Sequence, residues 1–268
     1  MKLDDIVISR TIIDGFYDKL TKNLDTTVSI VGGGPSGLVA AYFLAKAGKK
    51  VALFERKLAI GGGMWGGGMM FNNIVVQKDG LEILDEIGIR YAEKTKGYFV
   101  ADAIETSSTL ASKAVKAGAA VFNLISVEDV MIYNKRVTGL VLNWTPVEMA
   151  GLHVDPLTVR SKYIVDATGH PAEVARIIVK KIGPRLKTES GNLLGEKSMW
   201  ADSGEKGVLK NTKEIFPGVY ACGMACNAVF GAHRMGPIFG GMLLSGKKIA
   251  QLLIKNDKTA TAKQRGTR

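Results

Sequence analysis

One stretch of this 268-residue chain constrains its fold more than any other. An apolar run at residues 28–31 leads into Gly32-Gly-Gly-Pro-Ser-Gly37, and a small-residue helical pattern fills 38–47. A second apolar run at 51–54 then stops at the acid Glu55. This is the order of a βαβ unit that binds an adenine dinucleotide. Gly32 makes the tight turn, Gly34 lets backbone approach a pyrophosphate, and Gly37 lets helix pack closely on strand. Unpaired N–H groups in the first helical turn face the phosphates. Glu55 is placed to accept hydrogen bonds from a ribose diol. A glycine turn alone also suits other doubly wound sheets. Strand, helix, second strand and terminal acid in register point to the dinucleotide, without saying which one or whether it is cofactor or substrate.

The length suits one large domain or two intertwined lobes, with a substantial core. No apolar run approaches the roughly 20 residues that span a bilayer. The N-terminus carries Asp4 and Asp5 and does not resemble a secretory signal. A cytoplasmic protein without membrane contact is expected. The formal charge of +11 is unevenly placed, because Lys255, Lys258, Lys263, Arg265 and Arg268 oppose only Asp257 near the end. That tail reads as a solvated terminus. Low aromatic content and the lack of a basic recognition helix argue against nucleic acid, while a positive body steers anionic nucleotides. Cys222 and Cys226 are too few for a disulfide framework or a structural zinc site. They read as small buried thiols beside the nucleotide, with a redox or sulfur-carrying role as the alternative.

Residues 3–24 carry the apolar spacing of an amphipathic helix, able to cover a sheet edge or meet a neighbouring subunit. Six glycines within 60–70 exclude a regular element and suggest backbone brought close to a ligand. Helices are expected at 80–88, at 105–117 with Thr106 or Ser107 near its start, at 171–182 opened by Pro171, and at 240–255. Strands are expected at 121–125, 127–133, 137–144, 162–168 and 218–222. Residues 183–213, polar and glycine-interrupted, read as mobile or partner-dependent. The sum is an α/β chain: a doubly wound sheet interrupted by a smaller β-rich lobe. The nucleotide-binding lobe covers about 26–125 and 160–255, the substrate lobe about 126–159, and a flexible tail 256–268. In such sheets ligands sit beyond the carboxyl ends of the strands, so the turns at 32–37, 168–171 and 223–236 should face one crevice.

All three histidines, His153, His170 and His233, fall in expected loops. In His153-Val-Asp155-Pro156 the residue before proline is held extended, so His153 and Asp155 share a face. With His170 at a strand end they make a nitrogen and oxygen set suited to iron or zinc with open positions. A turn closed by a side-chain hydrogen bond explains the same residues equally well. Arg234 sits in Ala232-His-Arg-Met-Gly-Pro237, where a guanidinium either forks onto a carboxylate or phosphate or simply closes a surface turn.

Together the glycine turn, Glu55-Arg56, the 61–68 loop, His153-Val-Asp-Pro156, Ala167-Thr-Gly-His170 and Arg234-Met-Gly-Pro237 resemble the thiazole synthases of thiamin biosynthesis. The match follows that family's order over about residues 5–255. The resemblance implies the fold of glutathione-reductase-type flavoproteins and an enzyme that consumes NAD as a building block. Nicotinamide leaves, the ribose condenses with glycine, sulfur is added, and an adenylated thiazole carboxylate closes. It implies Fe(II) ligated by Asp155 and His170, with His153, Asp155 and His170 catalytic and glycine held by Arg234. ADP-ribose would lie against Gly32, Gly34, Ser36, Gly37, Glu55, Arg56, Gly63, Val127, His153, Val154, Asp155 and Met224.

The eukaryotic branch carries a sacrificial cysteine where this chain has His153, and imidazole has no sulfur to give. The chain therefore resembles the archaeal-type branch, which takes free sulfide and turns over. The family forms octamers with sites shared between subunits, which implies the same assembly here. Two departures from its pattern are His233, where a proline precedes Arg-Met-Gly-Pro, and Pro171, where an acid often follows Gly-His and serves as a proton carrier. Competing readings are an FAD-dependent oxidoreductase of the same fold, a ribose 1,5-bisphosphate isomerase (an activity associated with archaeal members), and a non-enzymatic NAD-binding module.

Overall fold

The computed structural model describes the backbone of residues 2–266 and the side chains of residues 2–260. Helix α1 (Asp5–Lys22) precedes the βαβ unit of β1 (Asp25–Val31), α2 (Pro35–Lys46) and β2 (Val51–Glu55). A glycine-rich loop with two short 3₁₀ turns follows, and then β3 (Asn73–Gln77), α3 (Leu81–Ile87), β4 (Tyr91–Thr95) and β5 (Tyr98–Asp102). Next come α4 (Ala103–Lys116), β6 (Ala120–Asn123), β7 (Ile125–Tyr133), β8 (Arg136–Trp144), α5 (Thr145–Met149) and β9 (Leu157–Asp166). The remainder is α6 (Glu173–Ile182), β10 (Lys197–Met199), α7 (Ala201–Asn211), β11 (Lys213–Phe216) and β12 (Val219–Ala221). It closes with α8 (Met224–Phe230), β13 (His233–Arg234) and α9 (Gly240–Gly266).

The main sheet has the order β11-β12-β9-β1-β2-β6. β12, β9, β1, β2 and β6 run parallel, and β11 pairs antiparallel at the edge. β7 and β8 form an antiparallel hairpin joined to the first half of β9. The expected α/β dinucleotide-binding fold is therefore present, with its β-rich insertion made of these strands. Its central strands are apolar on both faces, as helix-covered parallel strands must be. Val28 and Ile30 of β1, Leu53 of β2 and Val165 of β9 face one core with α2, α4 and α9. Phe54 and Ile164 face a second core with the β7–β8 hairpin, α6 and α8. The alternation follows from the two-residue period of a strand.

The structure corrects several local expectations. A three-stranded antiparallel sheet, β3-β5-β4, stands where no strand was expected. α6 starts at Glu173 rather than Pro171, because Ala172 takes a left-handed φ of 45° and breaks the helical path before it. α4 is capped by Asp102, whose side chain accepts from the Glu105 N–H at 2.7 Å, ahead of Thr106 and Ser107. Residues 183–213, read as mobile or partner-dependent, hold β10 and α7 and begin β11. α9 continues past Lys255 to Gly266 instead of yielding to a tail, and Asp257 pairs with Lys49 and Lys162 across the fold. Of the expected tail, residues 267–268 lie outside the described residues. No α1 residue is buried; Phe16 meets Phe122 edge-on, while Ile6, Val7, Ile12, Ile13 and Tyr17 remain exposed.

Candidate functional site

The carboxyl ends of β1, β2, β9 and the segment after β12 converge on a cavity of about 400 Å³. The expected turns share it: Gly32, Gly34 and Ser36 from the first, Thr168 to Pro171 from the second, and Met224 and Arg234 from the third. Glu55, Arg56, Gly63 and Val127 also line it.

Each glycine of the first turn answers to a different neighbour. Gly32 has φ 100°, and a Cβ there would sit 2.5 Å from the Ala167 carbonyl oxygen of β9's extension. A Cβ on Gly37 would meet the Gly32 carbonyl oxygen at 2.1 Å, so turn and helix touch through bare backbone. Around Gly34 nothing lies within 4 Å of such an atom. Gly34 lines the cavity at the N-cap of α2, with Pro35 opening the helix. Its surroundings are open on the side where phosphate would approach the free N–H groups.

Glu55 ends β2 and is nearly buried. Its Oε2 accepts the Gly33 N–H and its Oε1 the Lys57 N–H, both at 2.8 Å. The carboxylate thus braces the glycine turn from within, and each oxygen can accept one further bond. Arg56 is ion-paired with Glu173 at the cavity wall. Burial pushes the Glu173 carboxyl above the ordinary glutamate range, with Arg56 pulling it back down. Glu173 escaped the sequence reading. It falls inside the helix expected at 171–182, whereas α6 begins at Glu173 and Thr168 Oγ1 accepts its N–H at 2.8 Å. Asp166, wholly buried at the end of β9, accepts from Thr168 Oγ1 at 2.7 Å and from the Ala175 N–H at 3.0 Å. Burial raises its carboxyl too, with these bonds opposing.

His170 lines the cavity, and its Nδ1 lies 2.7 and 2.9 Å from the two carboxylate oxygens of Glu196. Glu196 was also missed, since nothing local marks a residue 26 positions away as a partner. Arg234 reaches the cavity from β13, whose backbone pairs with β10. Among the described residues its guanidinium forms no ion pair. It is free to take an incoming carboxylate. His233, in place of the expected proline, holds the Ser198 carbonyl at 2.7 Å through Nδ1 and packs edge-on against Trp200. Its work is to tie β10 to β13.

His153, Val154 and Asp155 do not line the cavity of their own chain. They occupy an exposed loop, where the Val154 carbonyl accepts from Asn143 Nδ2 at 3.0 Å. Asp155 precedes the ten-residue strand β9 and His170 follows it, so one chain does not bring the two side by side. Among the described residues no three metal-capable side chains cluster. Cys222 and Cys226 are buried and outside the cavity lining. Burial raises both thiols, Cys226 to about 12, so neither is a ready thiolate. Among the described residues no helix is long and apolar enough to cross a membrane.

The sequence model of the Thi4 family matches residues 9–239. The thiamine thiazole synthase of Methanothermobacter thermautotrophicus is 60% identical over 258 residues, covering 96% of this chain and all of that protein. The thiamine thiazole synthase of Pyrococcus horikoshii is 58% identical over 257 residues, again 96% of this chain and all of that protein. The crystal structure of Thermovibrio ammonificans THI4 superposes with a TM-score of 0.94 at 56% identity, over 96% of this chain and all of that one.

Proposed function

This chain belongs to the Thi4 family and acts as a thiazole synthase in thiamine biosynthesis; on that premise we propose that it joins NAD, glycine and free sulfide into an ADP-thiazole carboxylate, depends on Fe(II), and turns over repeatedly. One observation carries the reading. A dinucleotide turn, an unpaired Arg234 and the imidazole of His170 share one cavity, while both thiols lie buried outside its lining.

The chain's own residues divide the work. The N–H groups opening α2 take the pyrophosphate, and Glu55, fixed by two backbone donors, takes ribose hydroxyls. Arg234 forks onto the glycine carboxylate and presents the amine to the ribose carbon that nicotinamide leaves. Glu173 lines the cavity where a proton can be held or moved, and its half-buried carboxyl keeps its proton to higher pH than an exposed glutamate. It thereby supplies the carrier that Pro171 lacks. Sulfur enters from outside, since His153 has none and both cysteines are inaccessible.

Within one chain the donor set does not fit an ion, since Asp155 and His170 flank β9 from opposite ends. We place the pair across a subunit boundary instead. The Asp155 loop is flanked by exposed apolar Leu152 and Val154, as a loop seated on another surface would be. The exposed apolar face of α1 likewise calls for a partner, consistent with the homo-octamer of this reading. Asp155 of one subunit and His170 of the next would hold Fe(II), with His153 and Val154 reaching the neighbour's nucleotide. When bound there, the ion supplies Lewis acidity and open positions beside the glycine clamp.

The test is anaerobic incubation with NAD, glycine, Fe(II) and sulfide, followed by mass analysis of small molecules and protein. The expected result is many product molecules per chain with unchanged protein mass. Product limited to one per chain with sulfur lost from the protein overturns the sulfide reading. A flavin spectrum in the purified protein, or metal-free turnover of ribose 1,5-bisphosphate, would favour the competing activities instead.

A further inference from the structure

We infer that Glu196 is the positioning residue of His170. It fixes the ring tautomer so that Nε2, and not Nδ1, offers its lone pair to the shared metal. The inference rests on the reading that His170 is a metal ligand, and adds a residue to that site.

A carboxylate has only acceptors to offer, so the His170 nitrogen that faces it carries the proton. Nδ1 lies 2.7 and 2.9 Å from the two Glu196 oxygens, which leaves Nε2 unprotonated in a neutral ring. A metal-bound imidazole is commonly oriented in this way by a carboxylate on its other nitrogen, which also raises its basicity as a ligand. The two side chains differ in exposure as this division of labour requires. That of His170 is 52% exposed and open to a ligand, whereas that of Glu196 is 13% exposed.

Glu196 is also held before any ligand arrives. The Gly195 N–H donates to the Ala228 carbonyl and the Lys197 N–H to the Ala232 carbonyl, both at 2.9 Å. Its backbone is therefore pinned on both sides. Lys197 then opens β10, which pairs with the β13 strand carrying Arg234. One short ribbon places both the carboxylate behind His170 and the guanidinium meant for glycine.

The test uses the full-length protein with ¹⁵N-labelled histidine, and Co(II) alone as the metal probe. Three histidines make the ring signals assignable, with His170→Gln marking the one of interest. In metal-free wild type, His170 should carry its proton on Nδ1. Glu196→Gln keeps size and hydrogen bonding but can also donate, so it should mix the two tautomers. Glu196→Asp should partly restore the wild-type form. Co(II) affinity, followed by its absorption, should fall roughly tenfold to a hundredfold in Glu196→Gln and Glu196→Ala. A wild-type tautomer in Glu196→Gln, or unweakened Co(II) binding in both variants, overturns the inference. Unaltered Co(II) binding in His170→Gln overturns the underlying metal reading instead, and the metal-free tautomer measurement still decides what Glu196 does.

Discussion

Two glycines three residues apart should fail in opposite ways when each receives a single methyl group. In Gly37→Ala the new Cβ lands 2.1 Å from the Gly32 carbonyl oxygen and 3.3 Å from Ala167 Cβ. Relief requires the turn to open by about 1 Å, in a place with no slack. The Gly32 N–H is bonded to the Phe54 carbonyl at 2.8 Å, and Gly32 itself abuts the Ala167 backbone. Overpacking of this kind costs about 3 kcal/mol, and at about 2–4 °C per kcal/mol the melting temperature should fall by roughly 10 °C. In Gly34→Ala nothing lies within 4 Å, and the backbone at φ −75°, ψ −177° is open to any residue. Stability should drop by only about 0.5–1 kcal/mol, the cost of a poorer N-cap. The methyl group instead blocks the close approach of pyrophosphate. Losing one charge-assisted hydrogen bond of about 1.5–3 kcal/mol weakens NAD roughly tenfold to a hundredfold. Thermal melts and NAD titration calorimetry read both quantities. A Gly34→Ala protein that binds NAD like wild type, or a Gly37→Ala protein that melts like wild type, refutes this division of roles.

Arg234→Ala should raise the glycine requirement roughly tenfold to a hundredfold by removing a fork onto a carboxylate, with Lys restoring only part; steady-state kinetics with varied glycine would show otherwise if KM stayed put. Asp155→Ala and His170→Ala should each be inactive alone. Co-assembled in equal amounts, they should regain about a quarter of the activity if each site draws one ligand from each of two subunits, and no recovery would contradict the shared site. Glu205 accepts from the Gly241 N–H at the start of α9 and from Gln77 Nε2, yet Glu205 Oε1 and Gln77 Oε1 are buried without partners among the described residues. Burial raises the Glu205 carboxyl, so the group's contribution to stability is present below the ordinary glutamate pKa and lost as pH rises through the folded value. Glu205→Gln should therefore melt like wild type near pH 4 and higher by a few degrees at pH 7, for about 1–2 kcal/mol of relieved desolvation; a lower melting temperature at pH 7 would refute it.

The parts of this molecule readable from its residues are those whose cause is local. A glycine pattern between two apolar runs prescribes its own turn, and Asn134-Lys135, both at positive φ, closes the β7–β8 hairpin where apolar alternation placed it. The three glycine-rich turns are thus expected to face one crevice, and Gly32 and Ser36, His170, and Met224 and Arg234 from them line a single cavity together with Glu55 and Arg56. What stayed hidden depends on which distant segments pair. β4, Tyr91–Thr95, is almost wholly exposed, so it has no buried face to print an alternation, and only pairing with β5 makes it a strand. The helix expected from Pro171 starts two residues later because Asp166 and Thr168, on the preceding strand and turn, bind the N–H groups of Ala175 and Glu173 and set where α6 begins. That shift put Glu173 in the cavity wall. Glu196 became the partner of His170 only once β10 paired with β13. Backbone periodicity and turn chemistry act over a few residues and survive in the amino-acid order. The meeting of side chains across a cleft is settled by strand register and helix packing, which no short pattern encodes.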